Sequence, residues 1–447
     1  MEARAWQQRF NALEDGRVTR RVIDIVFAMD KSSGNKTTAP FPKIKRVVQI
    51  SLHLSRTTLQ RVRRRLSKLV RPVLVTGPIP WFFYALVMRP LWWLQFKTKR
   101  RDPSLPKVSI IIPVYNVEQF VADCVRSARA QRWPNLDIIA VNDGSTDSSL
   151  AILRQLQVGT PELRVQTQEN RGLGAARNAG IELIADSDYL MFLDSDDTLP
   201  MGAVASLVQT AQSSASPLVV GRTNRFEGVR YYERRDTACL HRKTRTAVTV
   251  NDEPLILSDV ICCNKLYSLS FWRANQLRFP EGVRYEDAAL VVRACLAAKR
   301  FDLLAAPVYN WRLRGNGESL SNLRTETKSL VDRLLSIEQI IALLQREVAL
   351  KRLSPAVLRY YWTRVISVDL QLFVPSIPKA NAEFFHIFQM RGLALLAEVD
   401  EKIWATATGK HKEAVRFALS NTRENTIAFL KQEKARRRES KSGSVWS

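Results

Sequence analysis

Between Val108 and Leu193 the sequence alternates short runs rich in β-branched and apolar residues with stretches of helical periodicity. The runs are VSIII, LDIIAV, LRVQTQ and YLMFL, and segments such as EQFVADCVRSARAQ lie between them. Short β-branched runs predict strands, whereas apolar residues at i, i+3 and i+4 predict helices. This alternation predicts an α/β fold with a largely parallel sheet and helices on both of its faces.

Short polar segments follow the predicted strands directly. They are PVYN, NDGSTD, ENRG and DSDD. In open α/β sheets, ligands bind in the crevice beyond the carboxyl ends of the strands. We therefore expect these four segments, although separated in sequence, to converge on one crevice.

The last of these segments places three carboxylates, Asp194, Asp196 and Asp197, within four positions. Like charges this close repel, and each carboxylate prefers a counter-ion to its neighbours. Such oxygen ligands suit Mg²⁺ or Mn²⁺, with phosphate and water completing the coordination. A helix cap is the alternative, because Asp197 or Thr198 can cap a helix whose first turn carries Pro200. The motif alone leaves both interpretations open.

The segment NRGLGAARNAG partly imitates a dinucleotide-binding fingerprint. Gly172 and Gly174 match it, but Arg177 stands where close helix-to-strand packing needs a third glycine, and the segment follows the third strand instead of the first. We expect Arg171 and Arg177 to meet a diphosphate or nucleoside through their side chains. The alternative is a small-residue helix face packed on the sheet.

The N-terminal part of the chain is strongly basic. The formal net charge is +25, and the interval between Asp30 and Asp102 holds 17 Lys and Arg with no acidic residue. Such a block favours polyanions, either nucleic acid or the anionic lipids of a cytoplasmic leaflet. No RNA-binding or helix-turn-helix signature accompanies it, so a nucleic-acid partner is not expected.

The apolar segment from Pro72 to Phe96 follows the basic block and is rich in Trp and Phe. Prolines at 78, 80 and 90 divide it into pieces shorter than the roughly 20 residues of a spanning helix. We expect an interfacial anchor on an anionic membrane surface, with a buried helical hairpin as the alternative. The five cysteines include no C-x-x-C pair, and no signal peptide opens the chain, so we expect a cytoplasmic protein at the inner face of the membrane.

Three regions follow from these patterns. We expect a basic, aromatic-rich helical region at 1–100, an α/β domain at 101–324 and a helical domain with a basic tail at 325–447.

Taken in order, VSIIIPVYN, VNDGSTD, NRGLGAARNAG and YLMFLDSDDTLP resemble the nucleotide-binding half of family 2 glycosyltransferases, which have the GT-A fold. The later CCNKLYS, RYEDAALVVRA and VYNWRLRGNGESLS resemble the acceptor half of bacterial members that build surface polysaccharides and wall polymers. The likeness spans Lys107 to Asn322. It implies an inverting, metal-dependent transfer from a nucleotide sugar, a UDP-sugar, to a hydroxyl of a glycan, wall polymer or lipid-linked acceptor.

The resemblance also implies roles for single residues. The donor-binding positions are Pro113 and Tyr115 at uracil and ribose, Asp143 at the base, Arg171 near the nucleotide, Asp194 with Ser195, and Trp311 and Arg312 near the diphosphate. Asp194 and Asp196 would form the D-x-D pair that binds the ribose side and Mg²⁺ or Mn²⁺, and Asp197 could replace one of them. Asp287 matches the general base, although a carboxylate that starts a helix is the alternative.

One departure from the family pattern concerns the base pocket. Asn142 stands where the family commonly has a first aspartate, so a charge is missing there. The chain also lacks a Q-x-x-R-W motif in the right place, which favours addition of one or a few sugars over polymer extrusion. Two other classes stay open from the sequence: a catalytically silent GT-A-like binding module and a basic nucleic-acid-binding protein.

Overall fold

The computed structural model describes residues 102–442, except 103, 132 and 315–323. The predicted N-terminal region, with the proposed membrane anchor at 72–96, lies outside the described residues.

The strands of the described residues form one mixed sheet. They are β1 (Val108–Val114), β2 (Leu136–Asp143), β3 (Leu163–Gln168), β4 (Tyr189–Phe192), β5 (Leu218–Glu227), β6 (Arg230–Glu233), β7 (Arg245–Val248), β8 (Lys265–Ser268) and β9 (Phe301–Arg312). Their order in the sheet is β3-β2-β1-β4-β8-β5-β9-β7, with β6 paired to β5. The pairs among β1 to β4 are parallel, and β8 joins β4 and β5 in antiparallel orientation. The predicted strands are confirmed as β1 to β4.

Helices follow the strands in the first half of the chain and dominate its C-terminal part. They are α1 (Val121–Arg129), α2 (Ser149–Gln157), α3 (Leu173–Glu182), α4 (Ala203–Ser214), α5 (Leu269–Ala274), α6 (Ala288–Ala298), α7 (Thr327–Ala349), α8 (Pro355–Arg364), α9 (Ala382–Leu395), α10 (Glu401–Thr406), α11 (Lys412–Ser420) and α12 (Arg423–Ser442). Short 3₁₀ turns span Ala238–His241, Pro254–Ser258, Leu370–Leu372 and Val374–Ser376, and a π-helical turn spans Val365–Asp369.

The core of the nucleotide-binding half forms where the sequence is richest in β-branched residues. Every residue of β1 is buried, as expected for a strand covered on both faces. Helix α3 packs on β1 and β2, and Gly180 makes this approach possible, because a Cβ there would lie 2.6 Å from Cγ2 of Ile111. The small-residue helix face that the sequence left as an alternative is therefore present in α3.

A buried charged cluster supports the second half of the sheet. Asp259 is fully buried and accepts hydrogen bonds from Arg234 Nη1 (2.9 Å) and Asn264 Nδ2 (2.7 Å), while Lys265 Nζ donates to its backbone carbonyl (2.7 Å). Burial alone would raise the pKa of Asp259, but Lys265, His241 and Arg234 hold it well below its usual range. The cluster fixes the segment that precedes β8, since a buried charge needs this degree of pairing.

The C-terminal helices join the α/β part through α6, against which α7 packs. Their interior holds Asp369, which is paired with Arg333 and Arg364. Among residues 102–442, in the parts that are described, no helix is both long enough and apolar enough to cross a membrane.

Candidate active site

The parallel register of β1, β2 and β4 brings their carboxyl ends to one edge of the sheet. Pro113 of β1 pairs with Val141 of β2, and Ile111 of β1 pairs with Phe192 of β4. The polar segments that follow these strands therefore lie at the same edge, as the sequence predicts.

Asp143 ends β2 and organises the loop before α3. Its carboxylate accepts hydrogen bonds from Gln168 Nε2 (2.7 Å), the Arg171 amide (3.0 Å) and the Gly172 amide (2.8 Å). Asp143 is buried, so these hydrogen bonds replace the hydration that its carboxylate loses on leaving water. The side chain of Arg171 is 61% exposed at this edge and pairs with Glu281 at 2.6 Å.

The loop after β1 presents the two other residues predicted to contact the base and ribose. Pro113 is buried in β1, whereas Tyr115 is exposed. The next residue, Asn116, has a φ of 48° and accepts a hydrogen bond from the Thr146 amide (2.8 Å). This bond ties the loop after β1 to the loop after β2.

Asp194 is held by Arg177, a residue of α3. Arg177 Nη2 donates to Asp194 Oδ1 (2.6 Å), and Arg177 Nη1 donates to Glu286. Arg177 is only 1% exposed, and its guanidinium stacks on the Phe279 ring at 5.1 Å. We expected Arg177 to meet a diphosphate or nucleoside; instead its buried guanidinium joins the D-x-D segment to the segment of the predicted base.

Asp196 is partly exposed and faces two arginines, Arg312 at the end of β9 and Arg314 just after it. Arg314 Nε donates to Asp196 Oδ2 (2.8 Å), and Arg314 Nη2 lies 2.7 Å from the same oxygen. Arg312 Nε donates to the backbone carbonyl of Asp196 (2.6 Å). Burial raises the pKa of Asp196, Arg314 opposes that rise, and Asp194 adds to it. Its neighbour Ser195 is buried.

Asp197 points inward and ties the D-x-D segment to β9. Its carboxylate accepts hydrogen bonds from the Tyr309 hydroxyl and from the Arg312 amide (2.6 Å). Burial raises its pKa well above the usual range, and the charges of Asp196 and Asp194 add to the shift. With both oxygens engaged, this geometry favours a supporting role for Asp197 over metal ligation.

The helix-cap interpretation of the acidic cluster is not what the structure shows. Helix α4 begins at Ala203 with Gly202 as its N-cap, and no side chain caps it. Thr198 instead forms an isolated β-bridge with Asn310.

Asp287 follows Glu286 and precedes α6. It occupies the N-cap position of that helix, but its side chain makes no capping hydrogen bond. Burial and the charge of Glu286 raise the pKa of Asp287 to about 7. Tyr285, two residues before it, has a φ of 59°, a left-handed conformation uncommon for a bulky residue and frequent at functional sites. A carboxylate with this pKa suits proton transfer near neutral pH better than helix capping.

Trp311 and Arg312 point in different directions from β9. The guanidinium groups of Arg225 and Arg234 lie 5.2 and 5.9 Å from the Trp311 ring. Arg312 stacks between Phe120 (5.1 Å) and Phe226 (4.5 Å). The structure thus joins Arg312 to the D-x-D segment, whereas Trp311 stacks against arginines of the second half of the sheet.

The sequence did not predict three contributions to the site: the bridge that Arg177 forms, the hydrogen bond from Tyr309 to Asp197, and the contact of Arg314 with Asp196. The bridge could have been inferred, because an arginine in place of a packing glycine needs a buried partner for its charge. Arg314 lay two positions beyond Arg312 in WRLR, but only the fold brings it to Asp196.

Two carboxylates, Asp194 and Asp196, stand two positions apart, and they could hold a divalent cation only together with a ligand that supplies further oxygens. The Arg314 guanidinium lies 2.7 Å from Asp196 Oδ2. Within the described part of the chain, no group of three or more His, Cys, Asp or Glu side chains could hold a metal. This donor set agrees with Mg²⁺ chemistry, in which one or two carboxylates leave the remaining positions to phosphate and water.

Residues 109–273 match the family model described as glycosyl transferase family 2. This match over residues 109–273 confirms the resemblance to family 2 glycosyltransferases seen in the motifs.

Two curated relatives and one solved structure are similar to the chain. Glycosyltransferase GlyA of Streptococcus pneumoniae is 30% identical over 239 residues, which cover 51% of this chain and 34% of the relative. A poly(ribitol-phosphate) beta-glucosyltransferase of Bacillus spizizenii is 31% identical over 220 residues, covering 48% and 33%. The chain thus spans about a third of the length of each. The crystal structure of S. aureus TarS 1-349 in complex with UDP matches with a TM-score of 0.56 at 20% identity, covering 74% of this chain and 92% of that one. This match confirms the predicted GT-A fold.

Proposed function

We propose that the chain transfers a sugar from a UDP-sugar to a hydroxyl of a cell-surface glycan, wall polymer or lipid-linked acceptor, with inversion at the anomeric carbon. One observation carries the proposal: buried Arg177 joins Asp194 of the D-x-D pair to Glu286, the neighbour of Asp287, so donor and base segments meet at one site. The UDP bound to TarS and the polymer acted on by the Bacillus spizizenii relative support the donor and acceptor classes.

The donor half of the site would hold the nucleotide at the ends of β1, β2 and β4. Pro113, Tyr115 and Asp143 would surround the base and ribose. Asp143 would also position the loop before α3, whose amides its carboxylate binds. Asp194 and Asp196 would hold Mg²⁺ or Mn²⁺, which supplies charge neutralisation for the diphosphate when bound. Arg312 is fixed by Phe120, Phe226 and the Asp196 carbonyl before the reaction, so no reorganisation is needed for it to stabilise developing negative charge.

The acceptor half would activate the attacking hydroxyl. Asp287 accepts the hydroxyl proton as the acceptor oxygen bonds to the anomeric carbon, and the bond from that carbon to the diphosphate oxygen breaks with its electron pair. A single displacement of this kind inverts the configuration of the anomeric carbon, by the geometry that distinguishes inverting glycosidases.

We place the enzyme at the inner face of the cell membrane, held by the basic N-terminal region.

The donor site is tested by Asp196→Ala. We expect this variant to lose Mn²⁺-dependent binding of UDP while keeping its fold. The Asp196 side chain is partly exposed, the side chain that ties the segment to β9 is that of Asp197, and alanine keeps the backbone carbonyl that Arg312 binds. Calorimetry measures the binding, and circular dichroism checks the fold. Unfolding of the variant would show that the cluster is mainly structural; unchanged UDP binding would remove Asp196 from the site.

The pH dependence tests the assignment of the base. Only the ionised form of Asp287 accepts a proton, and its pKa is raised to about 7, so kcat/KM should rise with pH through about 7 and then level off. Glu286→Gln removes a charge that raises this pKa, so the rise should move to lower pH. If kcat/KM rises at the same pH in the Glu286→Gln variant and in the unchanged protein, the assignment of Asp287 as the base is contradicted.

A further inference from the structure

Arg314 makes a contact that the proposed transfer does not use. Its Nε donates a hydrogen bond to Oδ2 of Asp196 (2.8 Å), and its Nη2 lies 2.7 Å from the same oxygen as an ion pair. The Phe120 ring lies 5.1 Å from the guanidinium carbon and supports it from the loop after β1. Arg314 is therefore held at Asp196 by a hydrogen bond, by charge and by an aromatic contact together.

The contact engages one of the two carboxylate oxygens through which Asp196 could bind a cation. A guanidinium at this oxygen opposes a divalent ion there, because its hydrogen bond uses one lone pair and the two positive charges repel at short range. The two arginines at the D-x-D pair differ in this respect. Arg177 at Asp194 is buried and has a second carboxylate partner, whereas the Arg314 side chain is 18% exposed and no other carboxylate partner is seen for it among the described residues.

We propose that Arg314 competes with the divalent cation for Asp196 and that the donor diphosphate relieves this competition; the inference rests on the proposed function. A diphosphate offers several anionic oxygens with the spacing that a guanidinium binds in bidentate fashion. When the nucleotide arrives, Arg314 exchanges the Asp196 carboxylate for the diphosphate, and Asp196 Oδ2 becomes available to the cation. Cation and nucleotide consequently bind with positive coupling, and each raises the affinity of the other by the same factor.

The competition is measured with Mn²⁺ alone, by the electron paramagnetic resonance signal of the free ion. Arg314→Gln should bind Mn²⁺ about tenfold more tightly than the unchanged protein, the size expected when a hydrogen bond to a charged group is lost. Arg314→Lys keeps the charge but loses the Nε hydrogen bond to Oδ2, so it should also bind Mn²⁺ more tightly. If repulsion at a distance were the whole effect, the lysine variant would behave like the unchanged protein.

A matched control removes a similar ion pair far from the site. Arg391 pairs with Glu338 between the C-terminal helices α9 and α7, so Arg391→Gln should leave Mn²⁺ affinity unchanged.

The factor by which UDP raises Mn²⁺ affinity is the second measurement. It should be smaller in Arg314→Gln than in the unchanged protein, because the competition that UDP relieves is already gone.

Two outcomes overturn the inference at different levels. Normal Mn²⁺ affinity in Arg314→Gln, together with a clear loss in Asp196→Asn, would overturn the competition and leave the proposed metal ligand in place. Unchanged Mn²⁺ affinity in Asp196→Asn would overturn the metal assignment of the proposed function, and the competition with it.

Discussion

Asp287→Asn should lower the rate of sugar transfer by about 10²- to 10⁴-fold, the usual contribution of a positioned general base. The asparagine keeps the shape of the side chain but loses the proton acceptor. UDP and Mn²⁺ affinity should stay near normal, because the proposed donor ligands belong to the other segments of the site. Asp196→Asn should instead weaken both donor binding and transfer, and this contrast separates the two roles.

The measurement combines calorimetry for UDP and Mn²⁺ with the rate of product release. Asp186→Asn is a matched control, since it makes the same change before β4, at the end of the strand opposite Asp194, and we expect no effect on transfer. Near-normal transfer by Asp287→Asn would place the base elsewhere, with Glu286 as the next candidate. Loss of donor binding in that variant would contradict the division of the site into donor and acceptor halves.

Arg177→Met should produce the largest loss of stability, about 3–5 kcal/mol in the free energy of unfolding, the typical effect of removing one partner of a buried ion pair. The change leaves Asp194 and Glu286 without their shared counter-ion, and Glu286 is itself buried. Denaturation followed by tryptophan fluorescence gives the unfolding free energy.

The control for Arg177→Met is Arg164→Met. Arg164 also pairs with an aspartate, Asp137, at 2.6 Å, but its side chain is 44% exposed, so the loss should stay below about 1 kcal/mol. The double variant Arg177→Met/Glu286→Gln should lose less stability than the sum of its single changes, because neutralising Glu286 removes one uncompensated charge. Equal losses in Arg177→Met and Arg164→Met would contradict the bridging role of Arg177.

Much of the nucleotide-binding half could be predicted because its signals are local. The strands β1 and β2 are β-branched runs that end in turn residues, and their parallel pairing follows from the helices between them. The sequence also predicted that the polar segments after these strands share one edge of the sheet. The roles of Asp194, Asp196 and Asp287 came from the family resemblance and stay predictions until they are tested.

The contacts that organise the site could not be predicted because they join distant parts of the chain. Arg177 and Glu286 are 109 positions apart, and Arg314 and Asp196 are 118 apart. No spacing or periodicity encodes such pairs. They appear only in the fold, where the segment after β4 forms a bridge with β9 at Thr198 and Asn310, and where the segment before α6 meets Arg177 of α3. The inward direction of Asp197 is of the same kind, since its partner Tyr309 belongs to β9.

The most direct test of the account is a screen of UDP-sugars and other nucleotide sugars for donor hydrolysis, which needs no acceptor. We predict release of nucleoside diphosphate from at least one UDP-sugar in the presence of Mn²⁺ or Mg²⁺, abolished by a chelator and by Asp196→Ala. Failure to hydrolyse or bind any nucleotide sugar, with the protein folded and the cation present, would contradict the central claim and favour a catalytically silent module with the same fold.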